Sequence, residues 1–172
     1  MKYILISIII LLTSCGNDTT NNTNGAISST SRLASEVGIN ILKQGGNAFD
    51  AIVATGFTLA VTSPANGNIG GGGFLVAQTE SGEVFTLDFR EEAPADSYET
   101  MFLDENNEYS RELALFSHKS SGVPGTVDGL IKIFIDYGSG KFTLEEILAP
   151  AIDYAENGHK INKSSAFGFD WY

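Results

Sequence analysis

The chain has 172 residues, 42% of them apolar and 18% charged, which excludes a disordered or collagen-like polypeptide and suffices for one domain with its own core. Its formal net charge is −11, and eleven Asp and Glu side chains lie between Glu80 and Glu112 against Arg90 and Arg111 alone. Such a surface repels phosphate backbones, so nucleic acid is excluded as an expected partner and the acidic stretch reads as a solvated face.

Lys2 precedes an apolar run from Tyr3 to Leu12, followed by small residues up to Cys15. A basic start, a short apolar core and small residues make a secretory signal over residues 1–14. The run is too short for a membrane-spanning helix, which needs about 20 apolar residues. Cys15 is the sole cysteine, so no disulfide can form within the chain. The order Leu12-Thr13-Ser14-Cys15 resembles the lipobox of bacterial lipoproteins. That resemblance implies cleavage before Cys15, lipidation of its thiol and new amino group, and a lipid-anchored protein of the bacterial cell envelope facing the periplasm. An ordinary signal peptide with a chance cysteine is the alternative. Gly16 to Gly25 carries no apolar side chain, so residues 15–25 read as a lipidated cysteine and a flexible tether.

The globular region begins near Ala26. Leu33, Val37 and Ile41 recur every four residues, with Ala34 and Leu42 beside them, which predicts a helix from about Ser31 to Gln44 stopped by Gly45-Gly46. Asn47 with Asp50 three residues on makes a capping-box-like start for a second helix. From Ala48 to Val61 nearly every residue is apolar, small or threonine, which predicts a helix buried on all sides, ended by Pro64. Phe74–Thr79 and Glu83–Phe89 read as strands joined by Glu80-Ser81-Gly82; in the second, Phe85, Leu87 and Phe89 form an apolar face and Val84, Thr86 and Asp88 alternate with them. Asp96 to Ser121 is expected to be irregular, with Met101-Phe102-Leu103 as a docking point. Val127 to Tyr137 reads as a helix ended by Gly138-Ser139-Gly140. Thr143 caps a helix with Glu145 and Glu146 in its first turn, and Pro150 opens a further helix that runs to about Asn157-Gly158. No internal repeat is present.

The stretch GNIGGGGFLV, Gly67 to Val76, concentrates glycine before a strand. A phosphate-binding loop would need Lys after the glycines, where Phe74 stands, and a dinucleotide fingerprint would need strand before helix, the reverse of the order here. Close packing remains, since glycine admits a neighbouring backbone or a ligand. His118 and His159 lack metal-ligand spacing, so no metal or cofactor is expected, and each reads as a surface or capping histidine. The carboxylates single out no acid–base pair. Arg90 stands out: it follows an apolar strand and is the only basic residue between Lys43 and Arg111. A guanidinium at a strand end can hold a carboxylate through two parallel hydrogen bonds. The competing reading is an internal salt bridge to Asp88, Glu91 or Glu92, which spacing alone favours.

Five segments in order resemble the start of the gamma-glutamyltranspeptidases: LASEVGINILKQGGNAFDAIVAT (Leu33 to Thr55), SPANGNIGGGGFLV (Ser63 to Val76), LDFREEAPA (Leu87 to Ala95), GVPGTVDGL (Gly122 to Leu130) and LAPAIDYAENGHKIN (Leu148 to Asn162). The resemblance implies, for residues 26–172, an α+β fold, part of the four-layer αββα sandwich of N-terminal-nucleophile hydrolases. It implies a precursor that cuts itself into two subunits, whose small-subunit N-terminal threonine takes the γ-glutamyl group from glutathione or related γ-glutamyl compounds and passes it to water or an amino acid. By position in the FRE block, it makes Arg90 the residue that binds the α-carboxylate of that substrate, and it places the glycine run near the substrate cavity.

The family's nucleophile lies in a Thr-Thr-His-like motif well downstream of these blocks. Here Thr-Thr occurs only at Thr19-Thr20, followed by Asn21, so no catalytic residue is assigned in this chain. The expectation is the N-terminal portion of a large subunit, with the C-terminal part and small subunit as missing partners. Alone it is expected to be inactive and poorly stable, because a partial sandwich leaves a sheet edge unpaired and an apolar face uncovered. A non-catalytic lipoprotein is one alternative. A related acylase of glutaryl β-lactams is another, since Arg90 suits either acyl group.

Overall fold

The computed structural model describes residues 25–161 and Ala166. The proposed signal peptide, Cys15, Thr19-Thr20 and nearly all of the tether lie outside the described residues.

Helix α1 spans Arg32–Lys43, capped by Ser31, whose side chain accepts a hydrogen bond from Ala34 N. It buries Ala34, Val37, Gly38 and Ile41 on one face. Helix α2, Ala48–Thr62, starts with the expected capping box: the Asn47 side chain accepts from Phe49 N and Asp50 N, and the Asp50 carboxylate accepts from Asn47 N at 2.9 Å. It is packed by α1 and by two later helices, and buries Ala51, Val53, Ala54, Thr55, Phe57 and Thr58. Thr55 and Thr58 satisfy their hydroxyls on the carbonyls of Ala51 and Ala54, each at 2.7 Å, which lets polar side chains sit in the core. The helix is not sealed all round, for Ile52 is 40% exposed.

Strands β1 (Phe74–Gln78) and β2 (Val84–Asp88) pair antiparallel, with Phe74 opposite Asp88, Val76 opposite Thr86 and Gln78 opposite Val84. Thr79 N donates to Glu83 O at 2.9 Å and Gly82 N to Thr79 O at 3.0 Å, closing the hairpin through Gly82 at φ 88°. The alternation sorts Leu75, Ala77, Phe85 and Leu87 inward to the core and leaves Phe74, Val76 and Val84 exposed.

The segment from Asp96 to Ser121, expected to be irregular, is more ordered than that. It contains a short helix α3, Arg111–Phe116, capped by Ser110, and a 3₁₀ turn at His118–Ser120. Ahead of them Leu103 bridges Tyr109, and the Asp104 carboxylate accepts from Glu108 N and Asn106 N, which holds its carboxyl below the usual carboxylate range. Helix α4 covers Thr126–Tyr137 and α5 covers Leu144–Asn157.

Thr143 and Glu146 form a full capping box on α5, and Gly158 at φ 78° ends it. Pro150 does not open a separate helix: it sits inside this single one. A proline there removes one backbone hydrogen bond. The two-ended capping and the burial of Ile147 and Ala151 carry the helix across that gap.

The core joins all of these elements except α3 and the 3₁₀ turn. Asp50, fully buried, ties the helices end to end, its carboxylate accepting from Ser139 N at 3.1 and 3.2 Å as well as from Asn47 N. Asn47 Nδ2 donates to Tyr137 O at 2.7 Å across the same junction.

Candidate functional site

Arg90 stands two residues past the end of β2. Its backbone N–H donates to Asp88 Oδ1 at 2.9 Å, which turns the chain at the strand end, and its Nε donates to Glu91 Oε2, also at 2.9 Å. The guanidinium carbon lies 5.8 Å from the Phe74 ring centroid, within cation–π range. The Arg90 side chain is 62% exposed, so the ion pair itself adds little to stability. Among the described residues, neither terminal amino group of the guanidinium takes a protein hydrogen bond.

The salt bridge exists, to Glu91 rather than Asp88 or Glu92, and it uses Nε alone. The outer edge of the fork carries the remaining N–H donors of the guanidinium. The Glu91 carboxyl is held below the usual carboxylate range by its own backbone N–H, then by the Arg90 charge and the Gly72 N–H. Glu91 thus stays an acceptor that steadies the guanidinium.

The backbone around Arg90 is held from both sides. Gly73 and Phe89 exchange N–H···O bonds at 3.2 and 3.0 Å, extending the ladder past β1 and β2. Glu92 and Val123 exchange another pair at 3.2 and 2.8 Å. Gly125 N and Thr126 N both donate to Gly71 O, at 2.9 and 3.0 Å, so the start of α4 is fastened to the glycine run. The run is neither a phosphate cradle nor a linker; it lies alongside the strand end that carries Arg90.

The other candidates stay apart. His118 is exposed, and His159 sets its ring edge-on to Tyr154 at 6.0 Å. No group of three or more His, Cys, Asp or Glu converges to hold a metal among the described residues. A groove of about 440 Å³ lies between α1 and α5, floored by Val37, Ile41, Phe142 and Pro150, and it shares no residue with the Arg90 surroundings. Sequence reasoning missed the Phe74 ring beside the guanidinium, whose signal is the register: Phe74 pairs with Asp88, two residues before Arg90.

A family model described as gamma-glutamyltranspeptidase matches residues 34–170. The chain belongs to the gamma-glutamyltranspeptidase family. Curated relatives agree: a glutathione hydrolase proenzyme of Pseudomonas aeruginosa is 47% identical over 80% of this chain and 24% of its own length. The glutathione hydrolase proenzyme of Escherichia coli is 42% identical over 83% of this chain and 24% of its own. The crystal structure of Helicobacter pylori gamma-glutamyltranspeptidase superposes with a TM-score of 0.81 at 44% identity, covering 85% of this chain and 41% of that one. The chain thus has the α+β fold of gamma-glutamyltranspeptidases in part, a helical layer on one face of a small sheet, and spans 24% of the length of these curated relatives.

Proposed function

We propose that this chain supplies the carboxylate-binding part of a γ-glutamyl transferase or glutathione hydrolase, with Arg90 holding the α-carboxylate of glutathione or a related γ-glutamyl donor. One observation carries the reading: the guanidinium is anchored through Nε to Glu91 while, among the described residues, its terminal amino groups stay open. Two parallel hydrogen bonds from that edge match a carboxylate in spacing and charge. The nucleophile and its base belong to the portion of the relatives that this chain does not cover, so acyl transfer needs that portion as a partner. The outward sheet face, with Phe74, Val76 and Val84 at 64, 75 and 65% exposure, offers it an apolar contact surface.

The test is release of p-nitroaniline from a γ-glutamyl anilide and from a glutaryl anilide, with this chain co-expressed alongside the remaining portion. The γ-glutamyl substrate is expected to be turned over, and Arg90→Ala to lower kcat/KM by about a hundredfold or more. Undiminished activity in Arg90→Ala removes Arg90 from substrate binding. Preference for the glutaryl anilide replaces the substrate class with that of the acylases.

The Leu12-Thr13-Ser14-Cys15 order supports lipid attachment at Cys15, holding the protein to a membrane of the cell envelope on its periplasmic side. Radioactive fatty acid is expected to label the wild-type chain and not Cys15→Ala; a labelled Cys15→Ala protein overturns the attachment.

A further inference from the structure

The glycines around Arg90 are not equivalent. A Cβ at Gly72 would lie 2.6 Å from Phe89 O, 2.7 Å from Glu91 N and 2.8 Å from the Arg90 carbonyl carbon. A Cβ at Gly125 would run into the Phe89 carbonyl and come within 3.0 Å of Arg90 O. A Cβ at Gly70, in the same run, would meet only Asn68 Oδ1 at 3.5 Å, an ordinary contact. Gly72 and Gly125 have no left-handed backbone, so space and not φ is what demands glycine there. The obstacles are backbone atoms, which cannot swing aside as a side-chain tip does.

These two glycines come from separate parts of the chain and press on one three-residue segment. Gly72 reaches Phe89–Glu91 from the run before β1, and Gly125 reaches Phe89–Arg90 from the turn into α4. The bonds from Gly125 N and Thr126 N to Gly71 O lock the two segments to each other. The Arg90 backbone is thereby bracketed at van der Waals distance, with its exposed side chain free only beyond Cα. The position of the fork relative to a bound carboxylate follows from that bracket, and a shift of about 1 Å is enough to spoil such alignment.

We propose that Gly72 and Gly125 are positioning residues for Arg90, which rests on the reading of Arg90 as the carboxylate clamp. They act through the backbone of Phe89–Glu91 and touch no ligand. A methyl group at either one pushes that backbone outward and separates the Arg90 guanidinium from Glu91.

The test measures Arg90 itself, in the 172-residue chain without any ligand. Phenylglyoxal condenses with accessible guanidinium groups, and peptide mass mapping gives the rate at each arginine, with Arg32 and Arg111 as internal references. Gly72→Ala and Gly125→Ala are each expected to raise the Arg90 rate about threefold or more as its pairing with Glu91 is lost, leaving Arg32 and Arg111 unchanged. Gly70→Ala is expected to leave all three rates as in the wild type. An unchanged Arg90 rate in either variant overturns the proposal. So does an equal rise at all three arginines, which is general loosening, or the same rise in Gly70→Ala. Because no ligand is present, the outcome does not depend on what Arg90 binds; that reading fails or stands on the Arg90→Ala activity.

Discussion

Helix α2 and the β1–β2 hairpin share one core yet are covered differently. Helix α2 has α1, α4 and α5 around it, and Ala51, Val53, Ala54 and Thr58 are wholly sealed. The hairpin buries only its inner face, and Phe74, Val76 and Val84 point outward in the open. The helices also have their polar ends settled by side-chain caps and by Asp50. The hairpin has two strands and, among the described residues, two unpaired edges. The helical layer is the more completely sealed part of the described region, while the sheet carries an exposed apolar face and the arginine.

The largest expected effect comes from emptying the helical layer. Ile147→Ala removes a fully buried side chain and is expected to cost about 3 kcal/mol or more in urea unfolding. A cost below about 1 kcal/mol would break the comparison, since a core of native density cannot lose that volume cheaply. Asp50→Ala comes next, at about 3 kcal/mol, because the N–H groups of Asn47 and Ser139 lose a buried charged acceptor.

A smaller effect is expected at the start of α5. Thr143→Ala removes a cap and should cost about 1 kcal/mol by the same unfolding measurement. The Glu146 carboxyl in that box is held below its ordinary value of 4.5 by the Thr143 N–H and hydroxyl. Its folded-state pKa is the lower one, so its contribution is complete above pH 4.5 and is lost as pH falls through the folded value. The wild-type advantage over Thr143→Ala should accordingly shrink on acidification; an advantage that grows would contradict the cap geometry.

The smallest effect sharpens the other side of the comparison. Val76→Thr, on the outward sheet face, should change the stability of the chain alone by no more than about 0.5 kcal/mol. The same substitution should cost more once a partner portion covers that face, measured as reduced recovery of the co-expressed pair. Equal insensitivity in both settings would remove the sheet face from the contact.

Most of the fold is legible in the sequence because its signals are local. Asn47–Asp50 and Thr143–Glu146 announce helix starts, and the alternation of Phe85, Leu87 and Phe89 announces which strand face is inside. Pro150 misleads because a proline is read as a boundary, while burial of Ile147 and Ala151 on the same helix outweighs one missing hydrogen bond. Helix α3 escapes notice because Arg111–Phe116 is short and buries nothing, leaving no periodic apolar face to detect. At the site, Arg90 and Glu91 are adjacent and readable. The approach of Gly72 and Gly125 to Phe89–Glu91 joins distant segments, and no local pattern encodes it.

The rings of Phe49, Phe85 and Tyr137 form a three-way cluster, Phe85 stacked on Tyr137 at 4.2 Å, Phe49 tilted against Tyr137 at 5.2 Å, and Phe49 6.1 Å from Phe85. They come from α2, β2 and the last residue of α4. Bringing them together closes two long loops, and the entropy of that closure must be met before any of the three gains its contacts. The cluster is therefore a late and collective event in folding, paced by chain topology rather than by helix formation. Near-ultraviolet circular dichroism of these aromatics reports the moment at which hairpin and helices become one body.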